Sequence, residues 1–286
     1  MKRAKTFSLV KGNISILASL SAVAGFVLQA GESSLSPSLA GVFLGTLTIA
    51  MGASALNQYQ ERDIDSRMDR TRQRPIPAGE ITPKAALAVA LALALSGTLI
   101  LLTAGGIAAA GLGAFALFWY NGVYTYLKRV TAFAVIPGAL VGSIPPAIGW
   151  AAAGGTLADP RIVTLSFFFF IWQVPHFWLL AIRYSDDYRR AGLKTPADRL
   201  SRKQLPRITF IWLMATAVTS LSLPLFQVTG SRATGALLTA AALLFMVRSI
   251  FILGRKKRDF PASALFQATN LFALLVILLV SLGGIL

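Results

Sequence analysis

Apolar runs at or near the length of a bilayer crossing recur along nearly the whole of this chain, with only short polar segments between them. A helix needs about 20 largely apolar residues to cross the hydrocarbon core, and in lipid every backbone polar group must be satisfied within the fold. The runs fall at about 13–30, 38–60, 85–104, 106–127, 133–153, 162–183, 208–229, 234–254 and 262–284. Membrane strands would instead alternate apolar and polar residues over short segments, so a β-barrel is excluded. The expected class is all-α: a polytopic membrane protein with nine transmembrane helices, forming one domain over 1–286 with a cytoplasmic tail at 1–12. The division between the third and fourth helices rests on Gly105 and Gly106 alone.

Nine crossings put the chain ends on opposite sides of the membrane, and the basic residues can then be sorted by side. One side takes the Lys and Arg of 2–11, 62–84, 128–129, 183–207 and 248–258, which is 25 of the 27 in the chain; the other keeps Arg161 and Arg232. Basic loops stay in the cytoplasm, so the amino terminus is expected to be cytoplasmic, with the carboxyl terminus opposite. The net charge of +16 therefore reads as a topology signal with no nucleic-acid partner implied. The run Arg255 to Arg258 reads as a contact for anionic membrane lipid. No cysteine is present, which excludes thiolate, disulfide and iron–sulfur chemistry, and the single histidine excludes a bis-histidine metal site within one chain.

The segment 57–77, NQYQERDIDSRMDRTRQRPIP, stands at the cytoplasmic end of the second run. Asn57, Glu61, Asp65 and Asp69 are spaced by four. On a continuous helix each such step drifts by only about 40°, so these groups are expected to form one winding stripe. Oxygen donors stacked in this way suit a hard cation such as magnesium. Arg70 and Arg74, just downstream, present planar forks that match phosphate oxygens. Acid, cation and arginine together point to a diphosphate site, and Arg74-Pro-Ile-Pro77 is expected to end the helix.

Further polar groups gather at the same boundary. Lys128 and Arg129 close the fourth run after Asn121 and Tyr124, and the cluster Arg183-Tyr184-Ser185-Asp186-Asp187 closes the sixth. Inside the sixth run, Gln173, Pro175 and His176 make a polar, kinked segment beside Phe167–Phe170. Polar groups at such depth are costly and lean functional, whereas the phenylalanines read as packing bulk. Pro145 and Pro146 are expected to break or kink the fifth helix.

Four stretches now carry a resemblance, in one order. NQYQERDIDSRMDRTRQRP resembles the first aspartate-rich motif of UbiA-type intramembrane prenyltransferases. The DIDSRMDRTRQRP portion, YTYLKRVT at 124–131, GALVGSIPPAIGWAAA at 138–153 and WQVPHFWLLAI with Asp187-Tyr188 resemble, more narrowly, the protoheme IX farnesyltransferase (heme O synthase) family. These stretches cover most of 57–190; the carboxyl-terminal third matches only in hydropathy. The chain departs in having Glu61 at a usual aspartate position and Ala191 where a second Asp-x-x-x-Asp would end.

The resemblance implies a UbiA-type helical bundle around a cavity in the bacterial inner membrane. It implies Mg2+ as cofactor, held by Asn57, Glu61, Asp65 and Asp187, and farnesyl diphosphate and heme b as substrates, with respiratory oxidase assembly factors as possible partners. It places Arg70, Arg74, Lys128, Arg129 and Arg183 on the diphosphate, and Tyr124, Gln173 and His176 beside the substrates. Alternatives are prenylation of a quinone precursor or another aromatic acceptor, a cation transporter, and a heme-binding assembly factor without catalysis.

Overall fold

A computed structural model describes residues 9–201, 203–254 and 260–285; the basic run Arg255–Arg258 lies outside the described residues. All regular secondary structure among the described residues is helical, with no strand among them. The long helices are α1 (Gly12–Ala30), α2 (Pro37–Gln60), α4 (Pro83–Phe118), α6 (Leu140–Ala152), α7 (Pro160–Arg183), α9 (Gln204–Leu225), α10 (Arg232–Ile250) and α11 (Ala262–Ile285). Short helices α3 (Arg62–Asp65), α5 (Thr125–Val130) and α8 (Ser185–Arg190) lie among the connections. Proline opens α2, α4 and α7, where its missing N–H costs nothing. Thr82 caps α4 by accepting from the Ala85 N–H at 3.2 Å, and Asp159 caps α7 by accepting from Arg161 at 2.8 Å.

Eight segments are long and apolar enough to cross a membrane, and one of them, Pro83–Val130, has 48 residues. A straight helix of that length would run about 70 Å, more than twice the bilayer core. The segment reverses at Gly106, whose φ of 77° and ψ of −177° leave the helical region. A Cβ on Gly113 would lie 2.8 Å from the Leu101 side chain and 2.7 Å from Ile49. Residues twelve apart on one straight helix would be about 18 Å apart, so the chain folds back at the Gly105–Gly106 pair. Counted this way the described residues make nine passes. The expected 208–229 helix lies four residues earlier, over Gln204–Leu225, and the left-handed Gln227 (φ 58°) follows its end.

Small residues let neighbouring helices approach closely. A Cβ on Gly149 of α6 would stand 1.8 Å from the Ala22 carbonyl oxygen of α1, and one on Gly25 of α1 would stand 2.0 Å from that of Pro146. Pro145 and Pro146 do not break α6, which continues through both. The interruption lies earlier, at Ala139, between a single turn Val135–Gly138 and α6. The other half of the bundle has a larger apolar core, built on Phe168, Trp178, Leu213, Leu238, Phe245 and Phe272. Phe168 and Phe169 are buried within it, consistent with a packing role.

Candidate active site

The acidic stripe begins where α2 ends. Asn57, Glu61 and Asp65 are all buried, at 1%, 3% and 0% exposure. Helical geometry does not persist as far as Asp69: α2 stops at Gln60, α3 adds one turn, and turns follow from Ser66. The stop therefore precedes Pro75. Side chains of the segment itself compete for the backbone: the Thr71 hydroxyl donates to the Asp65 carbonyl at 2.9 Å. Asp69 consequently leaves the stripe and stands exposed, paired with Arg190 at 2.7 Å.

Each buried carboxylate of the stripe meets a cation from a different part of the chain. Asp65 accepts from Arg74 Nη1 through both oxygens, at 2.8 and 2.7 Å. Glu61 is ion-paired with Lys128, which lies 5.6 Å over the Tyr124 ring. The Asn57 amide is held on both sides: Lys11 Nζ donates to its Oδ1 at 3.1 Å, and its Nδ2 donates to Thr125 Oγ1 at 3.2 Å. Lys11 is a site residue that the sequence reading passed over. Burial, together with the nearby Arg74 and Lys128 charges, lowers its pKa from 10.5 to about 7. Tyr124 sits at the end of a π-helical turn, Trp119–Tyr124, a local widening often found at functional positions.

The tip of α7 reaches this centre through α8. Asp187 accepts from the backbone N–H groups of Asp69 and Arg70, both at 3.2 Å, and pairs with Arg190. Burial pushes the Asp187 carboxyl upward, but Arg190 and the two N–H groups outweigh it and hold the pKa below the ordinary value. Ile64 and Met68 pack on Ala191 and Leu193 beneath this clasp. The ends of the second and sixth expected helices therefore meet.

The remaining expected residues divide. Arg70 lies 4.7 Å over Tyr184, at the rim. Arg129 turns back to the Gln60 carbonyl at 2.7 Å and towards Asp63 at 3.7 Å, so it braces the end of α2. Arg183 also lies over the Tyr184 ring, at 5.2 Å, and lines a separate cleft. Gln173 is buried against Gly142 of α6. His176 faces α11, where its Nδ1 meets Asn270 Oδ1 at 2.6 Å; Asn270, too, went unnoticed in the sequence. Phe177 stacks on Tyr124 with centroids 5.2 Å apart.

Among the described residues no three carboxylate or histidine side chains stand close enough to cage a metal in this arrangement. The donor chemistry nevertheless fits magnesium. Asn57, Glu61 and Asp65 offer only oxygen, and Glu61 Oε1 is buried without a hydrogen-bond partner despite its ion pair.

Comparison with known proteins gives a consistent picture. The UbiA prenyltransferase family matches residues 18–283. A protoheme IX farnesyltransferase from Geobacter sulfurreducens is 47% identical over 78% of this chain and 82% of its own. One from Oleidesulfovibrio alaskensis is 36% identical over 95% and 93%. Among solved structures, a digeranylgeranylglyceryl phosphate synthase superposes with a TM-score of 0.76 at 16% identity, covering 100% of this chain and 99% of the other. A UbiA homolog from Archaeoglobus fulgidus bound to GPP and Mg2+ superposes with a TM-score of 0.69 at 14% identity, covering 98% of both chains.

Proposed function

The chain belongs to the UbiA prenyltransferase family, and on that premise we propose that it transfers a farnesyl group from farnesyl diphosphate to a vinyl group of heme b, with addition of water, to give heme O. The observation that carries the choice of acceptor is the 36% identity across 95% of this chain with a protein named for that reaction. The position of the buried acid–base centre at a helix end supports the donor half.

Asn57, Glu61 and Asp65 are the residues to hold a magnesium ion, with Asp187 joining through lone pairs that its backbone partners leave free. When bound, that ion neutralises charge on the departing diphosphate. Lys11, Arg74 and Lys128 take the remaining phosphate charge, and each already stands within the centre. Arg70 reaches in from the rim. The allylic carbon–oxygen bond breaks with its electron pair going to the diphosphate. The stacked Tyr124 and Phe177 rings offer their faces to the positive charge left on carbon. The vinyl group donates its electron pair to that carbon, and water adds to the resulting porphyrin-side cation and loses a proton. His176 and Gln173 position the porphyrin or this water. The isoprenoid tail lies among apolar helices, where each buried methylene contributes about 0.8 kcal/mol.

The bias of 25 of 27 basic residues to one side supports a site at the cytoplasmic face of a bacterial inner membrane, with the amino terminus on that face. Heme O made there would pass to respiratory oxidase assembly. The test is incubation of the purified protein with heme b, farnesyl diphosphate and magnesium, followed by mass spectrometry of the pigment. The expected product is heme b plus one farnesyl and one hydroxyl group, with diphosphate released. Unchanged heme, alongside prenylation of a phenolic quinone precursor, would overturn the choice of acceptor.

A further inference from the structure

Two stripes of α7 face different neighbours. Trp172 and His176, four residues apart, face α11. There the Trp172 indole N–H donates to the Thr269 carbonyl at 2.9 Å, and His176 Nδ1 meets Asn270 Oδ1 at 2.6 Å. Phe266 of α11 closes over His176, with ring centroids 5.0 Å apart. That side is a tie between two helices. Gln173 and Phe177, also four apart, stand about 100° further round the helix. Phe177 meets Tyr124 at the end of the π-helical turn, and Gln173 meets Gly142 of α6.

Gln173 has no such tie. It is only 9% exposed, and among the described residues its amide has no hydrogen-bond partner. Neither amide atom is fully occluded, however. An unpaired buried amide is costly, and an ordered water is the common remedy. Gly142 makes the seat: a Cβ there would stand 2.5 Å from Gln173 Oε1 and 3.0 Å from its Cδ. Only a residue without a side chain leaves that space to the amide.

The seat lies one step behind the diphosphate centre. Lys128, paired with Glu61, lies over the Tyr124 ring, and Tyr124 stacks on Phe177. Gln173 is one turn of α7, about 6 Å, deeper than Phe177. Farnesyl transfer to a vinyl group forms two cations in succession. The first, on the allylic carbon beside the diphosphate, must be kept from water. The second, two bonds further along once the new carbon–carbon bond exists, must receive water.

We propose that Gln173, seated by Gly142, holds the water that adds to the second cation, and that His176 serves the α7–α11 tie instead. The inference rests on the porphyrin reading above and divides the two polar groups of this segment between chemistry and packing. Gln173 Oε1 accepts one water O–H, which leaves a water lone pair for the carbon. The carbon–oxygen bond forms from that pair, and the oxonium proton passes to the released diphosphate. Without a held water the same cation loses a proton from the adjacent CH2 to the diphosphate. The product is then an alkene, lighter by one water.

The test gives the full-length protein in nanodiscs heme b, farnesyl diphosphate and magnesium, and reads the ratio of hydroxylated to dehydrated pigment by mass. Gln173→Leu is expected to lower this ratio about tenfold, the worth of one hydrogen bond left unmade. Gly142→Ala, which presses on Oε1, should lower it in the same direction. Adding Gly142→Ala to Gln173→Leu should lower it no further, because both act through one amide. Asn270→Leu, which breaks the tie at His176, should lower the thermal unfolding midpoint and leave the ratio unchanged. A wild-type ratio in Gln173→Leu would overturn the inference; should that variant not fold, a wild-type ratio in Gly142→Ala does so. An equal shift in Asn270→Leu would overturn it too, since any loosening of α7 would then suffice. A wild type that makes no farnesylated porphyrin refutes the proposed function itself, and this inference with it.

Discussion

Replacing Arg74 with methionine isolates the energetics of the buried centre. Asp65 is fully buried, and Arg74 is only 16% exposed. The substitution removes the nitrogen that binds both carboxylate oxygens. The Thr71 hydroxyl cannot take its place, because it is committed to the Asp65 backbone carbonyl. Breaking a buried pair from one side costs about 3–5 kcal/mol, because an uncompensated charge remains. Two other cations stand close enough to Asp65 to offset part of this: Lys11, whose own pKa responds to both Asp65 and Arg74, and Lys128, on the neighbouring Glu61. The expected loss is therefore at the lower end, about 3 kcal/mol. Asp65→Leu combined with Arg74→Met removes both charges and should recover most of that loss, with a coupling energy of about 3 kcal/mol, while transferring no prenyl group. Reversible unfolding in mixed detergent–SDS micelles, followed by tryptophan fluorescence, measures all four corners of the cycle. If Arg74→Met alone costs less than about 1 kcal/mol, or if the double variant loses the sum of the two singles, the pair does not carry the energy assigned to it.

Hydropathy and charge made the bundle legible because lipid demands long apolar helices and the cytoplasm collects their basic loops. The meeting of the two helix tips was legible for the same reason: both polar clusters fall on the basic side. The reversal at Gly106 could be read only from paired glycines, and it holds because 48 residues cannot cross as one helix. Local patterns misled where tertiary bonds outweigh them. The period of four predicted that Asp69 would join the stripe, but backbone and side-chain bonds around Thr71 turn the chain first. Prolines predicted a break in α6, yet the helix runs through them, packed tightly on α1. Lys11 was hidden because it precedes Asn57 by 46 residues and reads as one more basic residue in a tail. Its position as the last residue before an apolar run was the available signal. Asn270 offered a stronger one, since an amide in the middle of the most hydrophobic carboxyl-terminal run demands a partner.

Two further perturbations address packing and charge. Gly149→Ala should cost about 3 kcal/mol, at the upper end of overpacking effects, because its Cβ would meet the Ala22 carbonyl oxygen at 1.8 Å and α1 must move away. Gly111→Ala, with nothing within 4 Å of its Cβ, should instead be neutral or stabilising by up to about 1 kcal/mol in the same unfolding assay; equal effects of the two would refute the close α1–α6 approach. Lys11 makes stability of the ligand-free protein depend on pH. Its pKa is about 7 in the fold and 10.5 when unfolded, so between these values the unfolded chain binds more protons and stability rises with pH. The contribution is complete above 10.5 and is lost as pH falls through about 7. Thermal unfolding midpoints measured from pH 7 to 9 should therefore climb in the wild type and climb less in Lys11→Met. Arg74→Met should also flatten the slope, since removing that neighbouring cation raises the Lys11 pKa towards its unfolded value. Parallel slopes in wild type and Lys11→Met would show that Lys11 keeps its proton throughout and that its contact with Asn57 is not the buried, cation-crowded one described.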